Sequence, residues 1–249
     1  MNKISQYIFS TVLGLVVFFF WIILHPYDLS FQEQNQLFLF TWDYFAERIA
    51  VCGGLADYIA EFITQFNYIP YLGEALMALL FVIFQIVTAA SICRKEWYVL
   101  SFITPVMMLV YMNDIYVMLC YLIALIIAVS MCALYRRYPG VLWACIATVL
   151  GYWLIGPVIF VFTLFAVLRE RNWNSLILAA VAVLTLVVSK WTYLQQYPWK
   201  TLAFGVNYYR HALVVPAMQL VIAAAAVLVP AFSDLLPKPK TYVNFALGL

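Results

Sequence analysis

The sequence predicts an all-α, polytopic membrane protein of about seven or eight spans, one of them a broken or re-entrant pair. Two amphipathic juxtamembrane helices are expected in its first outer loop. Three observations carry this. The chain is 67% apolar and only 10% charged, too little polar surface to cover a soluble domain of 249 residues. Its apolar runs approach or exceed the roughly 20 residues that cross a bilayer as a helix. Its acids are not scattered, because seven of the eleven lie between residues 26 and 74.

The first run, Tyr7 to Leu24, follows Lys3 and is long. No small-x-small cleavage site follows it, so it reads as an uncleaved span and not a signal peptide. Further runs cover roughly 73–93, 97–112, 115–135, 141–168, 174–190 and 212–232. Another begins at Thr241 and stops at Leu249, from which the expectation is a piece of a longer protein. The whole of 1–249 reads as one transmembrane domain.

Basic residues in short loops mark the cytoplasmic side. With the N-terminus cytoplasmic, 26–72 lies outside, Arg94-Lys95 inside, Asn113-Asp114 outside and Arg136-Arg137 inside. Val141 to Leu168 breaks the alternation, because one crossing would strand Arg169 and Arg171 outside. Gly156-Pro157 stands near its middle, where proline removes a backbone donor and glycine permits a sharp turn. The prediction is therefore a pair of helices folded back near Gly156, against the alternative of one kinked span. Residues 190–211 then form a second outer loop, and Lys238 and Lys240 return to the inside.

Within the first outer loop, Glu33, Gln36, Phe40, Asp43 and Glu47 recur at three or four residues and share one helical face. Asp57, Glu61 and Gln65 do the same on a second helix, after a break at Cys52-Gly53-Gly54. The expectation is two interfacial helices whose wet faces carry the carboxylates. Arg48 is the only base among them. The five cysteines form no CxxC or Cys/His cluster and read as apolar filler. No basic patch of nucleic-acid type is present, which argues against that class of partner. Asp114 falls in a loop and Asp234 near a span end, so no intramembrane ionisable group points to ion traffic.

Taken together, HPYDLSFQEQNQ, the helices flanking CGG, and RRYPGVLWACIATVLGYWLIGPVIFVFTLFAVLRER resemble the layout of the C-superfamily of membrane glycosyltransferases. EQNQLFLFTWDYFAERIAVCGGLADYIAEFITQF is also similar to an uncharacterised family of bacterial multi-pass proteins with EQ-x-QLFL and GGL-x-x-Y patterns. The first resemblance implies transfer of a sugar from a polyprenyl-phosphate donor at the outer face of the bacterial inner membrane. The Asp-Glu pair common in such enzymes is replaced here by Gln32-Glu33-Gln34.

Inverting glycosyl transfer needs a carboxylate to take the acceptor proton and a cation to hold the departing phosphate. Glu33, close behind the first span, is the candidate base. Asp43 is a metal-side or acceptor-side candidate, and Asp28 can approach either. Lys200 and Arg210 of the second outer loop are candidates for the phosphate, against the alternative that they anchor to lipid headgroups beside Trp191, Tyr193, Tyr197 and Trp199. The chemistry leaves a divalent metal open. Two other readings stand beside the enzyme: a non-catalytic scaffold or assembly subunit, and a lipid or solute transporter.

Overall fold

The computed structural model describes residues 3–92, 95–170, 173–205 and 217–233. Every regular element among them is helical. The α-helices are α1 (Lys3–Phe19), α2 (Asp28–Asn35), α3 (Trp42–Ile49), α4 (Gly54–Thr64), α5 (Leu72–Ser91) and α6 (Ile103–Tyr111). They continue with α7 (Leu119–Arg137), α8 (Val141–Ile155), α9 (Ile159–Arg169), α10 (Trp173–Thr192), α11 (Trp199–Phe204) and α12 (Ala217–Phe232). Five segments are long and apolar enough to cross a bilayer: Ile4–Leu24, Leu72–Ser91, Leu119–Arg137, Val141–Arg169 and Trp173–Thr192. Glu96–Tyr111 and Ala217–Phe232 are shorter apolar helices, and together these are the seven runs read from the sequence. The run beginning at Thr241 lies outside the described residues.

The axis of the bundle is α7, where Leu122, Ala124, Leu125, Ala128, Val129 and Cys132 are wholly buried. Against it pack α4, α5 and α9. A polar chain holds α1 along α5. The Ser10 hydroxyl donates to Gln85 Oε1 at 2.7 Å, and Gln85 Nε2 donates to Ser101 Oγ at 2.7 Å. Such groups need partners inside the protein, because hydrocarbon supplies none.

The segment Val141–Arg169 is folded back on itself. Thr148 Oγ1 lies 2.9 Å from Thr163 Oγ1, whereas 15 residues of straight helix would separate them by roughly 22 Å. Trp143 stacks on Phe162 with ring centroids 5.6 Å apart, so the arms run antiparallel. Gly156 makes the turn at φ 75°, ψ −160°, a conformation essentially closed to other residues. Pro157 follows within the short tight turn that leads into α9, where its missing N–H leaves no bond unmade.

The fold-back sorts the loops between the two ends of the bundle. At one end Tyr135 donates to Glu170 at 2.6 Å, and Arg136 Nη2 donates to the Pro230 carbonyl at 3.2 Å. These are basic helix ends. At the other end Gln32 Nε2 donates to the Val117 carbonyl at 3.1 Å, and Tyr121 to the Gln219 carbonyl at 2.8 Å. These are the segments that charge counting puts outside.

Two expectations about the first outer loop are corrected. Glu33 and Asp43 do not share a helix face: α2 ends at Asn35, Gln36 is extended, and α3 starts after Thr41. The Thr41 side chain accepts the Tyr44 N–H at 3.3 Å and caps α3, and Gln65 Nε2 takes the Gln36 carbonyl at 2.7 Å. A cap and a tertiary bond thus override the helical spacing. The second correction concerns α4, whose carboxylates are not wet. Asp57 and Glu61 are only 6% and 2% exposed, while Phe62 on another face is 40% exposed. The α4 helix packs on α7 and α8, so its polar stripe is the one the bundle covers.

The fold-back is open to a direct test. Thr148→Cys with Thr163→Cys, in a background stripped of native thiols, is expected to form a disulfide on mild oxidation. A single straight helix would leave both thiols free on a gel-shift assay.

Candidate functional site at the hairpin tip

The tip of the hairpin is where the loop of α2 to α4 and the loop that follows α10 come together. The last carbonyls of a helix have no partner within it. Here the α3–α4 turn supplies a partner: the Gly53 N–H donates to the Trp153 carbonyl at 2.7 Å, and the Cys52 thiol adds a bond at 2.9 Å to the Tyr152 carbonyl, which also accepts the Gly156 N–H. In return Trp153 Nε1 donates to the Ile49 carbonyl at 2.8 Å. The turn must be close-packed, because a Cβ on Gly54 would sit 1.6 Å from the Arg48 carbonyl oxygen. From the second loop, the Leu202 carbonyl accepts the Tyr152 hydroxyl at 2.9 Å, and Tyr193 packs on Trp153 with centroids 5.0 Å apart.

Beside this junction lies a buried charged cluster. Arg48 grips Glu61 with two bonds, Nε to Oε2 at 2.9 Å and Nη2 to Oε1 at 3.0 Å. The Tyr44 hydroxyl donates to the same carboxylate and accepts from Arg48 Nη2 at 2.8 Å. Arg48 is 7% exposed and Glu61 2%. Phe38 and Tyr58 pack edge-on or tilted against Tyr44 and help to exclude water. Burial first, then the bond to Glu61, pushes the Tyr44 hydroxyl up to about 12. Burial alone would lower Arg48, but its bonds to Tyr44 and the Glu61 charge outweigh that and hold the guanidinium charged. Chemically the cluster is a self-neutralised lock, its guanidinium fork already engaged by a carboxylate.

The sequence-predicted site residues are dispersed around this junction. Asp28 Oδ2 is hydrogen-bonded to His25 Nδ1 at 2.6 Å. Glu33 is half-buried on α2, next to the anchored Gln32. Asp43 is exposed in the first turn of α3. Lys200 is exposed on α11, and Arg210 lies outside the described residues. Lys190 is committed to the loop, donating to the Gln195 and Tyr197 carbonyls at 2.5 and 2.7 Å. Among the described residues no cluster of three His, Cys, Asp or Glu side chains could hold a metal. The buried partners Tyr44 and Glu61 were not singled out from sequence. Their signal was there: Arg48 is the one base in an acidic stretch, with Tyr44 four residues before it on the same helical face.

An all-helical bundle with several spans, a folded-back helix and a large loop packed onto its tip defines a polytopic integral membrane protein. The chain matches a family of unknown function (DUF6057) over residues 1–247, and it belongs to that family. No curated protein and no solved structure matches it.

Breaking a buried ion pair by removing one partner costs about 3–5 kcal/mol, whereas replacing both with apolar groups is often neutral. Arg48→Met and Glu61→Met are each expected to lower thermal stability in detergent, and the double variant to recover most of it. The pH dependence follows from Tyr44, whose value is raised from 10 to about 12 in the folded state. Its stabilising share is complete below pH 10 and disappears as pH rises through 12. Tyr44→Phe is expected to flatten that part of the alkaline unfolding curve.

Proposed function

We propose that this protein is an integral membrane transferase of the glycosyltransferase type, taking a sugar from a polyprenyl-phosphate donor at the outer face of the bacterial inner membrane. The observation that supports it is the contact of one hairpin tip with both outer loops: Gly53 to Trp153 at 2.7 Å and Tyr152 to Leu202 at 2.9 Å. The acidic first loop and the cationic second loop therefore share one end of the bundle, as a two-sided transfer site requires.

In this reading Glu33 takes the proton of the acceptor hydroxyl as its oxygen bonds to the sugar carbon. The bond from that carbon to the phosphate oxygen breaks, and its electron pair leaves with the phosphate. Lys200 and Arg210 hold the departing dianion, and Asp28 and Asp43 bound the acceptor side. The N-terminus is cytoplasmic, a proposal supported by the basic ends Arg136, Arg137 and Arg169 gathered at the opposite end of the bundle. A second reading, a scaffold without catalysis, is favoured by one observation: the only base among the loop's acids is spent on Glu61.

Two measurements test this. Glu33→Gln is expected to reduce transfer from a polyprenyl-phosphate sugar by 10²-fold or more while leaving membrane insertion unchanged; full activity in that variant ends the assignment of the base. Cysteines introduced at Arg136 and Arg169 are expected to label from the cytoplasmic side and one at Asp43 from the outer side. Arg136 and Arg169 on opposite sides would separate the two loops and remove the site.

A further inference from the structure

The helix α3 has three faces. At 3.6 residues per turn, Tyr44 and Arg48 share one, Asp43 and Glu47 a second, and Trp42, Phe45 and Ile49 a third, the three roughly 120° apart. The first is spent on the lock with Glu61. The second is exposed and acidic. The third is apolar, and its Trp42 and Phe45 rings lie 5.4 Å apart.

The linker before α3 adds to that third face. Leu37, Leu39 and Phe40 are exposed, and Phe40 and Trp42 are so by 84% and 76%. This is not a frayed stretch. The Leu37 carbonyl accepts the Tyr44 hydroxyl at 3.0 Å, the Gln36 carbonyl is held by Gln65, and Phe38 packs on Tyr58 with centroids 5.1 Å apart. Large apolar side chains held outward side by side mark an interaction surface.

Where the patch leads indicates what covers it. On α8, Leu142, Ile146 and Val149 follow at spacings of four and three and are exposed, and Trp153 comes four residues later. On a segment apolar enough to cross a bilayer, such a stripe faces lipid. Trp153 Nε1 donates to the Ile49 carbonyl at 2.8 Å, which joins the end of that stripe to the end of the apolar face of α3. The lipid-facing surface of the hairpin therefore runs on through Ile49 and Phe45 to Trp42. Asp43 and Glu47, on the adjacent face, require water. One short helix thus carries both sides of a hydrocarbon–water boundary.

We propose that α3 and residues 37–41 lie in the plane of the bilayer surface, their apolar face sunk about 5–10 Å into the boundary between headgroups and acyl chains. The partner is lipid with a zwitterionic headgroup. The exposed charges of α3 are acids and Arg48 is committed to Glu61, so anionic headgroups are repelled. It follows that Trp153 and the hairpin tip stand level with this boundary and do not end at mid-bilayer. The inference is independent of the transfer reading.

The test uses the full chain in phosphatidylcholine vesicles and the fluorescence of Trp42, read as the difference between the unaltered chain and Trp42→Phe. That signal is expected to be quenched by lipid brominated near the headgroup more than by lipid brominated near the chain end. Acrylamide is expected to quench it severalfold less than a free indole, although the protein itself leaves Trp42 bare. A tryptophan one residue on, Asp43→Trp in the Trp42→Phe chain, is expected to reverse the pattern. Phosphatidylglycerol at low salt is expected to raise acrylamide access to Trp42, and added salt to restore the shielding. Strong acrylamide quenching without bromolipid quenching would leave the patch in water, and shielding from both would place it under protein; either overturns the proposal. Stronger quenching from the chain end would sink the tip to mid-bilayer and overturn it too.

Discussion

A helix that stops leaves its last carbonyls without partners inside the helix, and that constraint governs this fold. The break at Gly156-Pro157 leaves the Trp153 carbonyl without a helical donor, because Pro157 has no N–H, and the Gly53 N–H meets it at 2.7 Å. The Cys52 thiol adds a bond at 2.9 Å to the Tyr152 carbonyl, which also accepts the Gly156 N–H. The α3–α4 loop therefore caps the hairpin, and the hairpin anchors the loop. Neither can be understood alone: the loop needs a fixed surface to fold on, and the tip needs donors.

From that clasp follows the inversion of α4. In water an amphipathic helix turns its apolar face inward. Here the face that the bundle covers carries Asp57 and Glu61 beside Ala56, Ala60 and Thr64, and Phe62 stays exposed. A carboxylate so buried is tolerable only with a counter-charge at hydrogen-bonding distance. Arg48 provides it from the neighbouring helix with two bonds, and Tyr44 adds a third to the same carboxylate. The α3–α4 pair is thus fixed by charge on the inside and by aromatic packing on the outside.

The same fold-back separates two ends of different chemistry. Arg136 and Glu170 bond at one end, to Pro230 and Tyr135. At the other lie the acidic loop and Lys200 on α11.

Much of this was legible in the residues. The seven apolar runs needed only composition and length. Gly156-Pro157 marked the fold-back because few other residue pairs can turn a chain so sharply without breaking hydrogen bonds. Cys52-Gly53-Gly54 marked the turn between α3 and α4 for the same steric reason. Spacing misled where contacts distant in sequence decide. Glu33 and Asp43 have the period of one helix, yet Thr41 caps a new one and Gln65 captures Gln36. The partnership of Glu61 with Arg48 was equally out of reach, because a charge's surroundings depend on what packs over it. Local stereochemistry and hydrophobicity are properties of the chain and fix where helices form and turn; burial and pairing are properties of the packed bundle, and only the folded structure decides which face of a helix is hidden.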